Sequence, residues 1–192
     1  MTNFVSFTEG GEVSHVDHLV FNLVDPAADT GSVTSLISKS LKGLATGVAA
    51  RFDSDPLIDY RAQRPLMNFR NGRLVGMRRD GIVLSHATDV EGHRFLHLNG
   101  TEPDFQWDAL LADILDVIER FGVTRTYSFT AIAATTPHTR PADMVVRQTV
   151  PDPGRVVLEA DFWFPASFAD YVEFHLGKLG GVSHTNVAVR VP

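Results

Sequence analysis

The chain has 192 residues, enough for one sizeable core, and at 44% hydrophobic and 21% charged it has the balance of a soluble globular domain. Seventeen Lys and Arg against 23 Asp and Glu give a net charge of −6, which argues against a nucleic-acid or anionic-membrane binder. There is no cysteine, so disulfide frameworks and thiolate chemistry are excluded, and no apolar run reaches the ~18 residues of a membrane-spanning helix.

Residues 1–14 are polar and acidic, carry no signal-peptide pattern and are expected to be a flexible terminus of a single α/β domain over 1–192. The first strand is Val16 to Val24, almost continuously apolar, as a strand buried on both faces should be. A turn from Asp25 to Gly31 follows. A helix capped by Ser32 then places Val33, Leu36, Ile37, Leu41 and Leu44 on one face, with Lys39 and Lys42 late enough to complement its dipole. Val48 to Phe52 is a short strand. The dense charged stretch Asp53 to Pro65 has no amphipathic period and reads as an ordered loop with one helical turn. Leu66–Phe69 and Arg73–Met77 flank Asn71-Gly72, a strong hairpin signal. Gly81–Ala87 and His93–Leu98 are further strands, joined by the acidic loop Thr88 to Gly92.

The next stretch organises the chain. After the strand comes an acidic turn, Asn99 to Gln106. A helix then shows Trp107, Leu111, Ile114, Ile118 and Phe121 on one face. Asp104 suits its N-cap, Pro103 costs nothing there, and Gly122 suits a left-handed end. Val123 to Thr130 is the following strand. Strand, turn, helix, strand is the unit of a parallel sheet, here expected to be formed by two adjoining strands. Met144–Thr149 is another strand. Ser167 and Asp170 have capping-box spacing ahead of a helix carrying Phe168, Tyr171, Val172, His175, Leu176 and Leu179. Thr185 to Val191 is the last strand.

No phosphate-binding glycine loop, dinucleotide fingerprint, nucleophile elbow or His-Glu-x-x-His pair occurs. Asp53, Asp55 and Asp59 lack the glycine and closing glutamate of a calcium loop. The eight histidines show no convincing ligand spacing, so no metal or cofactor is expected. What remains is a group of polar residues near strand ends: Glu102 and Asp104 after one strand, His138 and Arg140 after the next, and Asp59, Tyr60, Arg61 and Arg64 from the charged loop. Either arginine–carboxylate pairs hold these loops together, or the residues line a cleft. In the cleft, Arg61, Arg64 and Arg140 would meet an anion and His138 or Glu102 would carry a proton. No residue stands out as a nucleophile.

Three motifs in order carry a resemblance. They are Phe52-Asp53-x-Asp55 through Asp59-Tyr60-Arg61-x-x-Arg64-Pro65, Leu98-x-Gly100-x-Glu102-Pro103-Asp104-x-x-Trp107, and Pro137-His138-Thr139-Arg140-Pro141. The set resembles the proteasome assembly chaperone family, in its prokaryotic and especially actinobacterial branch, over about Val16 to Pro192. The resemblance implies a three-layer α/β/α sandwich with a mixed, largely parallel central sheet, similar to phosphorylase and peptidyl-hydrolase folds. It also implies a self-associating, non-catalytic interaction module, with proteasome subunits among the conceivable partners; the polar amino terminus without a signal pattern and the lack of a membrane-length apolar run point to the cytoplasm. The loop after the first strand departs from the family's Gly-Trp-x-Asp-Ala-Gly, keeping only Asp29 and Gly31. Members usually continue past a Val-Pro like that at 191–192, so the chain resembles a shortened member, without the hydrophobic-Tyr-x tail by which archaeal relatives dock on proteasomes.

Overall fold

The computed structural model describes residues 4–8, 15–25, 28–135, 137, 139, 141, 143–150, 152, 154 and 161–191. Its described strands are β1 (Val5–Phe7), β2 (His18–Val24), β3 (Ala45–Phe52), β4 (Leu66–Arg70), β5 (Arg73–Arg78), β6 (Val83–Thr88), β7 (Arg94–Thr101), β8 (Arg125–Ala133), β9 (Asp143–Gln148) and β10 (Ser183–Val191). The helices are α1 (Val33–Lys42), α2 (Trp107–Phe121) and α3 (Phe168–Leu179). Eight strands form one sheet in the order β1-β3-β6-β7-β2-β8-β10-β9. Its centre, β7-β2-β8-β10, is parallel, and both flanks are antiparallel. This is the mixed, largely parallel sheet of an α/β fold.

The helices divide between the two faces. Successive strand residues point to opposite sides of a sheet. Leu19, Phe21, Leu96 and Leu98 share the main core with α2 and α3, through Leu110, Ile114, Val117, Phe168, Val172 and Leu176. Their neighbours Asn22 and His97 face α1 instead, and the Asn22 amide donates to the Thr34 carbonyl at 2.7 Å. Burying the large side chains of α2 contributes roughly 1.5–3 kcal/mol each, as an upper value. Gly100 is set by close approach, since a Cβ there would lie 2.4 Å from the Gly81 carbonyl oxygen.

Several expectations need correction. The expected flexible terminus contains β1, which pairs with β3, and Phe4 is buried in the core. One carboxylate fixes it: Asp113 of α2 accepts from the Phe4 and Val5 amides at 2.7 and 3.2 Å. The short polar prefix gives no sign of this, because its partner lies over a hundred residues away. Ser32 does not cap α1; it is itself left-handed (φ 56°), and Asp29 accepts from the Thr34 and Ser35 amides instead. Asp104 does not cap α2, whose N-cap position is Gln106. The strands β7 and β8 are parallel but not adjoining. β2 inserts between them, so they stand about two strand spacings, roughly 10 Å, apart.

Candidate functional site

The crevice follows from the connections. β2 leads to α1 on one face of the sheet, and its neighbour β7 leads to α2 on the other. Open α/β sheets bind ligands where adjacent strands part in this way, outside their carboxyl ends. A cavity of about 460 Å³ lies there. The ends of β2, β7 and β8 contribute Asp25, Glu102 and Phe129–Ile132, β9 contributes Arg147, and Asp29 and Asp170 stand at the starts of α1 and α3. Phe162 and Phe164 close one side.

Each described carboxylate whose partners are resolved also serves the scaffold. Glu102 Oε1 accepts from the Phe168 amide at 2.6 Å, at the first turn of α3. Asp29 caps α1. Asp170 completes the expected capping box with Ser167 and pairs with Arg147, which also meets Glu173 at 2.8 Å. Burial pushes the Glu102 carboxyl up to about 7; the Phe168 amide opposes this, and the nearby Asp25, Asp170 and Asp104 add to it. A carboxyl near 7 can exchange a proton at neutral pH.

The other expected site residues lie elsewhere. Asp104 accepts from the Asp59 amide at 2.7 Å and from Gln63 Nε2 at 3.0 Å, and the same Gln63 nitrogen donates to the Glu102 carbonyl. Thr101 also hydrogen-bonds Gln63. The Tyr60 hydroxyl donates to Asp55 at 2.7 Å, and Arg79 bonds both. Asp104 and Asp59 therefore belong to a clamp that holds the charged loop to the end of β7, while Tyr60 ties Asp55 of that loop to Arg79. Arg61 and Arg64 are exposed, and neither lines the cavity. His138 and Arg140 lie outside the described residues. Among the described residues the cavity is lined by the carboxylates of Asp25, Asp29, Glu102 and Asp170 and by the guanidinium of Arg147.

Asp25, Asp29, Arg147 and the two phenylalanines are not among the site residues expected from the sequence. Asp29 carried a signal, since it is one of two positions that keep the family's loop pattern. Arg147 carried none, because only the β10–β9 pairing brings it under α3.

Beneath α3 the core is polar. His184 is fully buried between Thr126 Oγ1 (2.8 Å) and Ser128 Oγ (3.0 Å) and stacks on Phe21. Burial pushes its pKa down to about 4, with Arg147 adding to the shift, so it is neutral at pH 7. His97 is also fully buried and lowered to about 4 by burial, and neither of its ring nitrogens has a partner among the described residues. No group of three or more possible metal ligands occurs among the described residues, and no described helix is long and apolar enough to cross a membrane.

The family model described as the PAC2 family matches residues 23–192. The chain belongs to the PAC2 family. Among solved structures, this PAC2 chain is similar to the Mycobacterium tuberculosis unknown function protein Rv2714. The identity is 25% and the TM-score 0.89, over 100% of this chain and 69% of that one. It is also similar to a protein of unknown function from Corynebacterium glutamicum, at 27% identity and TM-score 0.86, over 98% and 72% of the two chains. The fold extends to PbaB of Pyrococcus furiosus, an archaeal proteasome activator, at 13% identity and TM-score 0.69, over 97% and 79%. No curated protein matches the chain.

Proposed function

We propose that this PAC2 chain is a non-catalytic, self-assembling protein–protein interaction module of the cytoplasm. The observation that carries this reading is the β4–β5 hairpin. It forms a two-stranded sheet of its own, and every residue in both strands is exposed. An isolated two-stranded hairpin is marginal in water, and exposed apolar side chains on such an element mark a contact surface. The non-catalytic part is supported by the carboxylates at the strand ends, which hold backbone amides at helix starts and in the charged loop. Proteasome subunits are the first partners to try, because structural neighbours include a proteasome-assembly chaperone homologue and a proteasome activator. Light scattering across a concentration series tests self-assembly. The expected result is a mass above the single-chain 21.1 kDa that falls on dilution; one chain at every concentration overturns it.

A second reading rests on the cavity: a metabolite-binding or enzymatic site in which Glu102, near pH 7 in its titration, moves a proton. Thermal-shift screening against small metabolites tests it, since a ligand that favours the folded state must raise the melting temperature. Saturable stabilisation that Glu102→Gln abolishes would favour this reading over the first.

A further inference from the structure

The cavity at the carboxyl ends of β2, β7 and β8 has a definite chemistry. Its volume of about 460 Å³ is that of a small-molecule site. Leu23, Phe129, Ile132, Phe162 and Phe164 give it apolar walls, and the Phe162 and Phe164 rings stand side by side with centroids 5.9 Å apart. One cation already lies against an aromatic face there: the Arg147 guanidinium is 5.9 Å from the centre of the Phe164 ring. That guanidinium is shared between the carboxylates of Asp170 and Glu173, so its charge is more than offset where it stands.

The carboxylates around the cavity differ in what they leave open. Asp29 is committed to the Thr34 and Ser35 amides, and Asp170 to Ser167 and Arg147. These two shape the field and make no ligand contact. Glu102 is different. Its Oε1 accepts from the Phe168 amide, and its Oε2 has no hydrogen-bond partner among the described residues. The charges that shift it, Asp25, Asp170 and Asp104, are all carboxylates, and each disfavours its ionised form. A cation beside Oε2 meets an acceptor, a negative field and aromatic walls. An anion meets the same field, with Arg147 already engaged twice.

We infer that the cavity takes an organic cation: a primary ammonium that donates to Glu102 Oε2, carried on an apolar body that lies against Phe129, Phe162 and Phe164. This inference rests on the second reading above, a ligand site in this cavity, and names its ligand class. The positive ligand favours ionised Glu102, which the surrounding carboxylates oppose. Because that carboxyl titrates near 7, binding below pH 7 expels its proton, and binding at pH 8 finds the proton already gone.

The test uses the full chain and three probes that share one ring and differ in charge: benzylammonium, benzyl alcohol and benzoate. Titration calorimetry at pH 8 should show saturable binding of benzylammonium, about tenfold or more tighter than either of the others. Its affinity should fall about tenfold for each pH unit below 7, with close to one proton released per ligand at pH 6, read from titrations in buffers of different ionisation enthalpy. Glu102→Gln keeps an acceptor for the Phe168 amide, and its melting curve at pH 8 checks the fold. It should weaken benzylammonium about tenfold at pH 8 and flatten the pH profile. A preference for benzoate, or equal affinity for all three probes, overturns the cationic ligand and leaves a ligand site in the cavity standing. Benzylammonium binding that keeps its affinity and pH profile in Glu102→Gln overturns Glu102 as the contact. Binding of none of the three overturns the inference, and the metabolite screen described above then decides separately whether the cavity holds a ligand at all.

Discussion

Two antiparallel strand pairs follow one another in this chain and meet opposite fates. In β6–β7, Leu84, Leu96 and Leu98 are buried beneath α2, and the pair is an integral part of the eight-stranded sheet. In β4–β5, an equally apolar pair joined by Asn71-Gly72, every residue is exposed and no layer covers it among the described residues. Local pattern makes both hairpins; among the described residues only the first is covered within the same chain. The second is formed by turn chemistry and cross-strand pairing, and its apolar face stays exposed among the described residues.

Substitutions sharpen this contrast in order of size. Leu84→Ala should cost about 2–5 kcal/mol in denaturant unfolding, because it leaves a cavity in a close-packed core. Asp113→Ala should cost about 1–3 kcal/mol, since it strands the Phe4 and Val5 amides, and should loosen the terminal strand first. Amide exchange of residues 4–7 reads that loosening, and unchanged protection there would break the account of β1.

Glu102→Gln is smaller and depends on pH. The folded carboxyl keeps its proton up to about pH 7, above the ordinary value of 4.5. The stability this confers is complete below about 4.5 and is lost as pH rises through 7. The glutamine variant should therefore lack the fall in melting temperature between about pH 4.5 and 7, and at pH 8 should exceed the wild type by about 1–2 kcal/mol after allowance for solvent screening of a half-buried group. Parallel pH profiles for the two proteins would contradict the buried placement. Smallest of all, Phe69→Ala should change single-chain stability by about 0.5 kcal/mol or less, although it removes a larger side chain than Leu84→Ala does.

Much of the scaffold was legible because its causes are local. The Asn71-Gly72 turn, the capping box of Ser167 and Asp170, the left-handed Gly122 and the apolar stripe of α2 are each written within a few residues. What escaped depends on long-range partners. Asp104 looks like a helix cap in sequence, yet the charged loop 45 residues earlier claims its carboxylate. The insertion of β2 between β7 and β8 places Asp25 and Asp29 beside Glu102, and no local pattern reveals strand order. The sequence points to the end of β7, where a cavity lies, but its described lining of Asp25, Asp29, Glu102, Asp170 and Arg147 comes from separate segments that no local pattern brings together. Among the described residues of the expected set, Glu102 alone lines the cavity, because Asp104 points its carboxylate into the loop clamp and Arg61 and Arg64 stay at the surface.

The central claim is that the β4–β5 face is covered by another copy of the chain. Amide hydrogen exchange of residues 66–78 reads this directly, because in a single chain their only protection is a marginal two-stranded ladder. The account predicts strong protection of these amides at concentrations where light scattering shows the multimer, and near-intrinsic exchange on dilution to the single chain, while β6 and β7 stay protected throughout. Near-intrinsic exchange of the hairpin within the intact multimer would contradict it.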